Sequence, residues 1–240
     1  MNLSGVPLVS GGQVNNDSST PLTALGSLGA DSRGRLYRYV MAGVADLVVG
    51  NVLQSPAQVT AHAQLVPTAA QGVGSKQIVV TLGAAALAEN AYGDGIATID
   101  TSPGGGYSYG ISGHAAVLSG GVATINLRND DPIQVAISTV SRVTLTPHGC
   151  RGVIQSPAAQ TGSAIGVAVY PIRAGMCGWV GVLGDFPVLL EGTPGVGLGL
   201  AVPGTVPGAA VVTAATLNLI GRSRVTGVAG KIFPAQINLL

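Results

Sequence analysis

Glycine and proline break this sequence into short apolar runs of about four to eight residues, and a chain cut that finely has no stretch for a long helix. The 37 Gly and 14 Pro fall irregularly, as in Gly104-Gly105-Gly106 or at Gly195, Gly197 and Gly199, so the triplet repeat of collagen is excluded and the glycines read as turns. Runs bounded in this way predict strands at residues 34–42, 47–53, 62–66, 77–82, 95–100, 107–112, 122–127, 133–137, 142–145, 152–155, 165–169, 177–183, 187–190, 198–202, 209–212, 217–222 and 232–239. One short helix is expected at 84–90. Helices of about 10 to 15 residues, which an α/β fold would place between strands, are missing. The expectation is an all-β protein, a β-sandwich or barrel of many short antiparallel strands. Residues 1–30, with one charge and the polar cluster Asn15-Asn16-Asp17-Ser18-Ser19, predict an extended N-terminal arm. An interruption at 147–160 divides the remainder into a β-sandwich-like domain, residues 31–150, and a small C-terminal β-barrel, residues 151–240. No internal repeat of about 20 to 50 residues is visible.

Charge narrows the function classes. Only 9% of the 240 residues are charged, 11 Lys+Arg against 10 Asp+Glu, where an ordinary soluble domain carries about 25%. With 47% hydrophobic residues and a formal charge of +1, the chain is the opposite of a disordered one. The same balance lacks the basic excess that neutralises phosphates, so no nucleic-acid partner is expected. Mean hydropathy is +0.49, yet the longest uncharged stretch, 192–221, is interrupted by Pro194, Pro203 and Pro207 and by seven glycines, which reads as strands and turns and not as a membrane span. Residues 1–20 have neither a charged n-region nor an apolar h-region, so no secretory signal is expected in them. Cys150 and Cys177 predict two buried thiols and no disulfide framework. A monomer this poor in charge would be prone to associate, which suggests a surface covered by other subunits.

The motifs give no chemistry. Gly106-Tyr107-Ser108-Tyr109-Gly110 matches the Gly-x-Ser-x-Gly nucleophile elbow formally, and Asp130 or Asp131 and then His148 follow in hydrolase order. The elbow needs a strand before the serine and a helix after it, whereas three glycines precede this one and Ile111-Ser112-Gly113-His114 follows. The expectation is a tyrosine-bearing strand and no enzyme, with no catalytic residue, no metal site and no cofactor. His148-Gly149-Cys150 is the one close pair of metal-ligand types and reads as a turn, as does Asn129-Asp130-Asp131-Pro132. The densest basic cluster is Arg33, Arg35 and Arg38, on a strand where Arg35, Tyr37 and Tyr39 share one face and Leu36, Arg38 and Val40 the other. The cluster reads first as a solvated strand edge; if it contacts a partner, the partner-binding candidates are Arg33, Arg35, Tyr37 and Arg38. Trp179 is expected in the core.

Four stretches carry a resemblance. They begin at Gln77-Ile-Val-Val-Thr-Leu-Gly, Ser102-Pro-Gly-Gly-Gly-Tyr, Asp131-Pro-Ile-Gln-Val-Ala and Cys177-Gly-Trp-Val-Gly-Val-Leu-Gly, the last together with Leu190-Glu-Gly-Thr-Pro. Over residues 34–240 the chain resembles head proteins of tailed bacteriophages of the capsid decoration, cement or minor capsid type, and 152–240 is similar in rhythm to the small β-barrel of capsid-stabilising proteins. The resemblance implies a structural protein of the virion exterior, assembled in the host cytoplasm. Its implied partners are the major capsid protein and copies of itself, commonly in a trimer, and its role would be to clamp neighbouring capsomers. The arm would reach across a seam, so its removal would leave a folded protein that binds capsids more weakly. Another virion subunit, from tail, fibre or coat, is the alternative.

Overall fold

The protein is described by a computed structural model covering residues 5–213 and 218–240. Leu217, the expected start of one strand, and residues 1–4 of the expected arm lie outside the described residues. Sixteen strands follow among the rest: β1 (Leu28–Ala30), β2 (Leu36–Ala42), β3 (Val52–Gln54), β4 (Val66–Pro67), β5 (Gln77–Thr81), β6 (Ile96–Thr101), β7 (Ser108–Gly113), β8 (Val122–Leu127), β9 (Arg142–Thr146), β10 (Arg151–Gln155), β11 (Ala164–Ala168), β12 (Cys177–Leu189), β13 (Gly199–Val202), β14 (Val211–Val212), β15 (Asn218–Ser223) and β16 (Ile232–Asn238). The protein is all-β, built of barrel and half-barrel sheets.

The chain divides into two compact units, and they do not follow the linear order read from the sequence. One unit is discontinuous, Met1–Ala57 with Gly149–Leu240, and the other is Gln58–His148. The break near residue 148 coincides with the interruption at 147–160; residues 31–57, which sequence grouping placed with 58–150, pack instead with the C-terminal segment.

In the discontinuous unit, β2, β10, β3, β11 and β12 close a ring, since β2 also pairs with β12. Among the described strand pairs β2–β10 is the parallel one, and the bridges Leu8–Ala30 and Leu190–Ala210 are parallel too. The sheet then continues through β16, β15, β13 and β14 and curls back, with Leu190 bridging Ala210. β12 belongs to both halves. Its first part pairs with β2 from Cys177 to Leu183, with a register shift between Gly181 and Leu183, and its second part pairs with β16 from Leu183 to Leu189. An extra residue in a strand turns the following side chains to the other face. Thus Cys177 and Trp179 before the shift, and Phe186, Val188 and Leu190 after it, all enter one core, while Val180 points into the other with Val40, Leu53, Val153 and Ala168. Gly184, at φ 118°, holds the bend that an L side chain would resist. Pro187 and Pro234 sit opposite one another in the β12–β16 pair, where neither ring nitrogen is required as a donor.

The inserted unit is a six-stranded antiparallel sheet in the order β4-β5-β8-β7-β6-β9. Leu65 and Val143 exchange backbone hydrogen bonds of 2.8 and 2.9 Å, which joins the β4 end to β9 and closes a barrel around Ile78, Val80, Ile99, Tyr109, Ile111 and Ile125.

Both units reuse one corner. An anchoring residue is followed by a four-residue turn in which the first carbonyl accepts from the fourth N–H; in six of the eight corners a strand begins at the next residue, whereas Lys76 precedes β5 and residues 92–95 precede β6. The anchors pair backbone to backbone: Leu47 with Ile172, Gln71 with Ile137, Leu87 with Val117 and, in one direction because proline lacks an N–H, Pro194 with Gly227. The third turn residue has positive φ in seven of the eight, from 52° at Asn90 to 84° at Gly50, as a type II turn demands. This geometry accounts for two departures from expectation. Residues 84–90 form no helix, because Leu87 is an anchor and Asn90 is left-handed; residues 133–137 form no strand, because only their two ends make backbone bonds to 71–75, Ile133 with Gly74 and Ser75 and Ile137, another anchor, with Gln71. The described α-helix is instead α1 (Gly11–Val14), closed by a capping box between Ser10 and Gln13.

Candidate functional site

The β1–β2 turn carries the sequence candidates. Asp31 organises it: its Oδ1 accepts from the backbone N–H of Arg33 and Arg35, and its Oδ2 accepts from Arg35 Nε at 2.7 Å and Tyr37 Oη at 3.2 Å. Burial alone would raise this carboxyl, but the Arg35 side chain and the two backbone donors outweigh it and hold it below the usual carboxylate range. Gly34, at φ 79°, closes the turn. Replacing Asp31 with Asn removes a charged acceptor from four donors and is expected to cost about 1–3 kcal/mol in urea unfolding of the discontinuous unit.

The four candidates part company here. Tyr37 is 1% exposed, packs edge-on against Phe186 at 5.5 Å, and burial pushes its phenol up to about 12. Arg35 lies over both rings, 5.6 Å from Tyr37 and 5.4 Å from Phe186, and is tied to Asp31. Arg38 spends its guanidinium on the carbonyls of Ile165 and Leu239. Arg33 alone is exposed, with its side chain turned to solvent. β2 is buried on both faces because it walls one core and borders another, so it is no solvated edge.

Arg33 and Arg35 line two hollows of the same unit. One, of about 640 Å³, is bounded by Leu8–Gly11 and α1 on one side and by Asp31, Tyr37, Val169 and Pro187 on the other. The second, of about 360 Å³, has Gly34, Gly184, Asp185 and Gln236 for its remaining walls. Gln236 also lines a third, of about 330 Å³, with Leu183, Leu219, Arg222 and Ile237. The first two hollows share Arg33 and Arg35 and the last two share Gln236, so the three adjoin along one groove-like face. Sequence reasoning missed its far side because Arg222 and Gln236 meet only through the β15–β16 register.

The other sequence features fall elsewhere. Ser108 opens β7 and shares a 2.9 Å hydrogen bond with Thr98, so it stands in a strand and not at an elbow. Asp131 accepts from the Gly110 N–H. Cys150 and Cys177 are buried and not joined in a disulfide, and burial raises both thiols. Trp179 is buried against Tyr39, 5.0 Å between rings. Among the described residues no group of three His, Cys, Asp or Glu could hold a metal ion, and no helix is long and apolar enough to cross a membrane.

A buried polar cluster lies in the inserted unit. His62 Nδ1 and Tyr92 Oη are 2.8 Å apart, and the Tyr92 N–H donates to His114 Nε2 at 3.1 Å, while His114 Nδ1 faces the Ala115 carbonyl at 3.1 Å. His114 therefore donates through Nδ1 and accepts through Nε2, the neutral form. Burial, opposed by the bond to the Ala115 carbonyl and aided by nearby His62, holds its pKa below 6.5. An imidazole held below its unfolded pKa contributes stability while neutral. That contribution is complete above about pH 6.5 and is lost as pH falls through the folded value. Thermal scans from about pH 7 to pH 5 should show the inserted unit losing stability, and His114→Gln should flatten the slope.

No known protein family, curated protein or solved structure matches this chain.

Proposed function

We propose that this protein is a structural subunit of a virus particle, of the capsid decoration or cement type, which binds the outer surface of a tailed-phage shell and ties neighbouring capsomers together. One observation carries the assembly reading. Six of the eight corner turns present a large apolar side chain to solvent: Val48, Val73, Leu118, Val140, Val196 and Val228, each 50% to 81% exposed. A turn is served by Gly, Pro, Asn, Asp or Ser, and the turn geometry does not call for an exposed valine or leucine there. Such residues gain free energy only when something covers them. Sparse charge points the same way, because few groups would need desolvation on association.

The choice of a phage shell as the assembly rests on the resemblance described above, which is an analogy of sequence rhythm. A clamp on a shell gains from multivalency, since a second contact forms at high effective concentration once the first is made. Each contact can then be modest. In this reading the protein acts as a homo-oligomer, a trimer by the same analogy, beside the major capsid protein on the virion exterior, and it has no catalytic role. Mixing the purified protein with shells that lack it should give saturable binding, with one oligomer per site and a raised temperature of shell disruption. Leu118→Asp with Val196→Asp should weaken that binding while leaving the melting of the protein unchanged. Shells that bind none of it would overturn the proposal.

A further inference from the structure

We propose that the groove running past Arg33 and Arg222 is a docking site for an extended acidic segment of a partner protein. The chain has nine arginines, and seven have an interaction within it: Arg35, Arg128, Arg173 and Arg224 with carboxylates, Arg38 and Arg142 with backbone carbonyls, and Arg151 with a neighbouring group. Among the described residues, Arg33 and Arg222 are the two arginines with neither a hydrogen bond nor an ion pair from the side chain. Both are exposed, and both line this groove.

The register explains how they come together. Arg222 on β15 pairs with Gln236 on β16, and Gln236 pairs with Asp185 on β12, so the three lie in one row across the sheet. Asp185 is engaged by Arg224 at 3.4 Å, and Asp31 by Arg35, so neither carboxylate neutralises the two open guanidinium groups. Between them lie Gly34 and Gly184, with the Arg35 stem packed against Gly184 and its guanidinium tied to Asp31. Beyond Arg222 the wall becomes apolar, with Leu183 and the half-exposed Leu219.

A guanidinium is a planar fork that matches a carboxylate with two parallel hydrogen bonds. Two such forks beside an apolar wall fit a peptide whose acidic residues flank a leucine or similar side chain. Phosphate would satisfy the forks too, but a chain of net charge +1 lacks the field that nucleic acid requires, which favours the acidic segment. That the segment belongs to a shell subunit rests on the assembly reading; the chemistry of the groove does not.

The test uses the full chain and a short fluorescein-labelled peptide of glutamates around a central leucine pair, followed by anisotropy at low ionic strength. Saturable binding is expected. Arg33→Glu with Arg222→Glu should weaken it at least about tenfold, Arg33→Gln with Arg222→Gln by less, and Lys76→Glu in the inserted unit should leave it unchanged. All variants should melt like the parent. Absence of saturable binding, equal binding by the double glutamate variant, or tighter binding of an oligothymidylate of the same length would overturn the proposal. No particle enters this experiment, so its failure leaves the shell-binding result untouched, and the reverse holds.

Discussion

Deleting residues 1–30 should unfold the discontinuous unit and not merely remove a tether. The sequence alone suggests a dispensable arm, because 1–30 is polar and nearly uncharged. In the fold, Val9 and Val14 from this segment lie in the main core, and Leu8 bridges Ala30 of β1, which is itself a strand of the sheet. Ser18 exchanges backbone hydrogen bonds with Cys177 at 2.9 and 2.8 Å, and Asp17 takes a bidentate grip on Arg173 at 2.9 and 3.0 Å. The two valines alone are worth about 1.5–3 kcal/mol each, and loss of β1 uncovers one side of β2, against a total stability of about 5–15 kcal/mol for a domain. Calorimetry of the truncated protein should show the transition of the discontinuous unit lost or moved far down in temperature, while that of the inserted unit, with its own closed core, persists. An unchanged transition of the discontinuous unit would mean that the segment is an independent arm after all.

Phe186→Ala should be the most damaging single substitution described here, at about 3–5 kcal/mol. The ring sits where β12 crosses from one half of the sheet to the other. It is 1% exposed, meets Tyr37 edge-on, carries Arg35 above it and covers Gly181, where a Cβ would come within 2.7 Å of the ring. Truncation therefore leaves a cavity and removes an aromatic pair worth about 0.5–1.5 kcal/mol beyond its area. Phe186→Leu should cost much less, because most of the volume stays. Equilibrium urea unfolding of the three proteins checks the order, and an alanine variant within about 1 kcal/mol of the parent would contradict this account of the β12 crossing.

Local features of the sequence carried most of the strand pattern, and residues 122–127 show why. Val122, Ala123, Thr124, Ile125, Asn126 and Leu127 alternate in burial as a barrel strand must, so period-two reading places β8 at its observed bounds. The same reading splits β12 at Gly184 and Pro187, because local punctuation cannot reveal that a bulge and a proline pair let one strand pass through. Leu87 and Ile137 mislead for a related reason: each is a buried anchor in a corner, and burial without periodicity resembles a helix face or a strand alike.

The inserted unit was harder to see, although a signal exists. Val52-Leu-Gln-Ser-Pro-Ala57 precedes it and Val153-Ile-Gln-Ser-Pro-Ala158 follows it, and these near-identical segments carry the antiparallel pair of β3 and β10. A repeat that brackets an insertion is too short for a search at longer periods. Of the site, Arg33 could be found because it belongs to a local cluster. Arg222 could not, since its approach depends on three strands far apart in sequence, and Tyr37 was misplaced because alternation alone does not tell a strand with one core from a strand between two.

The proposal that this chain decorates a shell is tested most directly by counting its copies in purified particles of the virus that encodes it, by quantitative mass spectrometry against the major capsid protein. A decoration protein that caps repeated lattice positions should be present in a fixed ratio to the capsid subunit, on the order of hundreds of copies per particle, as expected when each clamp spans several subunits. A count of a few tens or fewer would place it in a tail or fibre, and its absence from the particle would contradict the account.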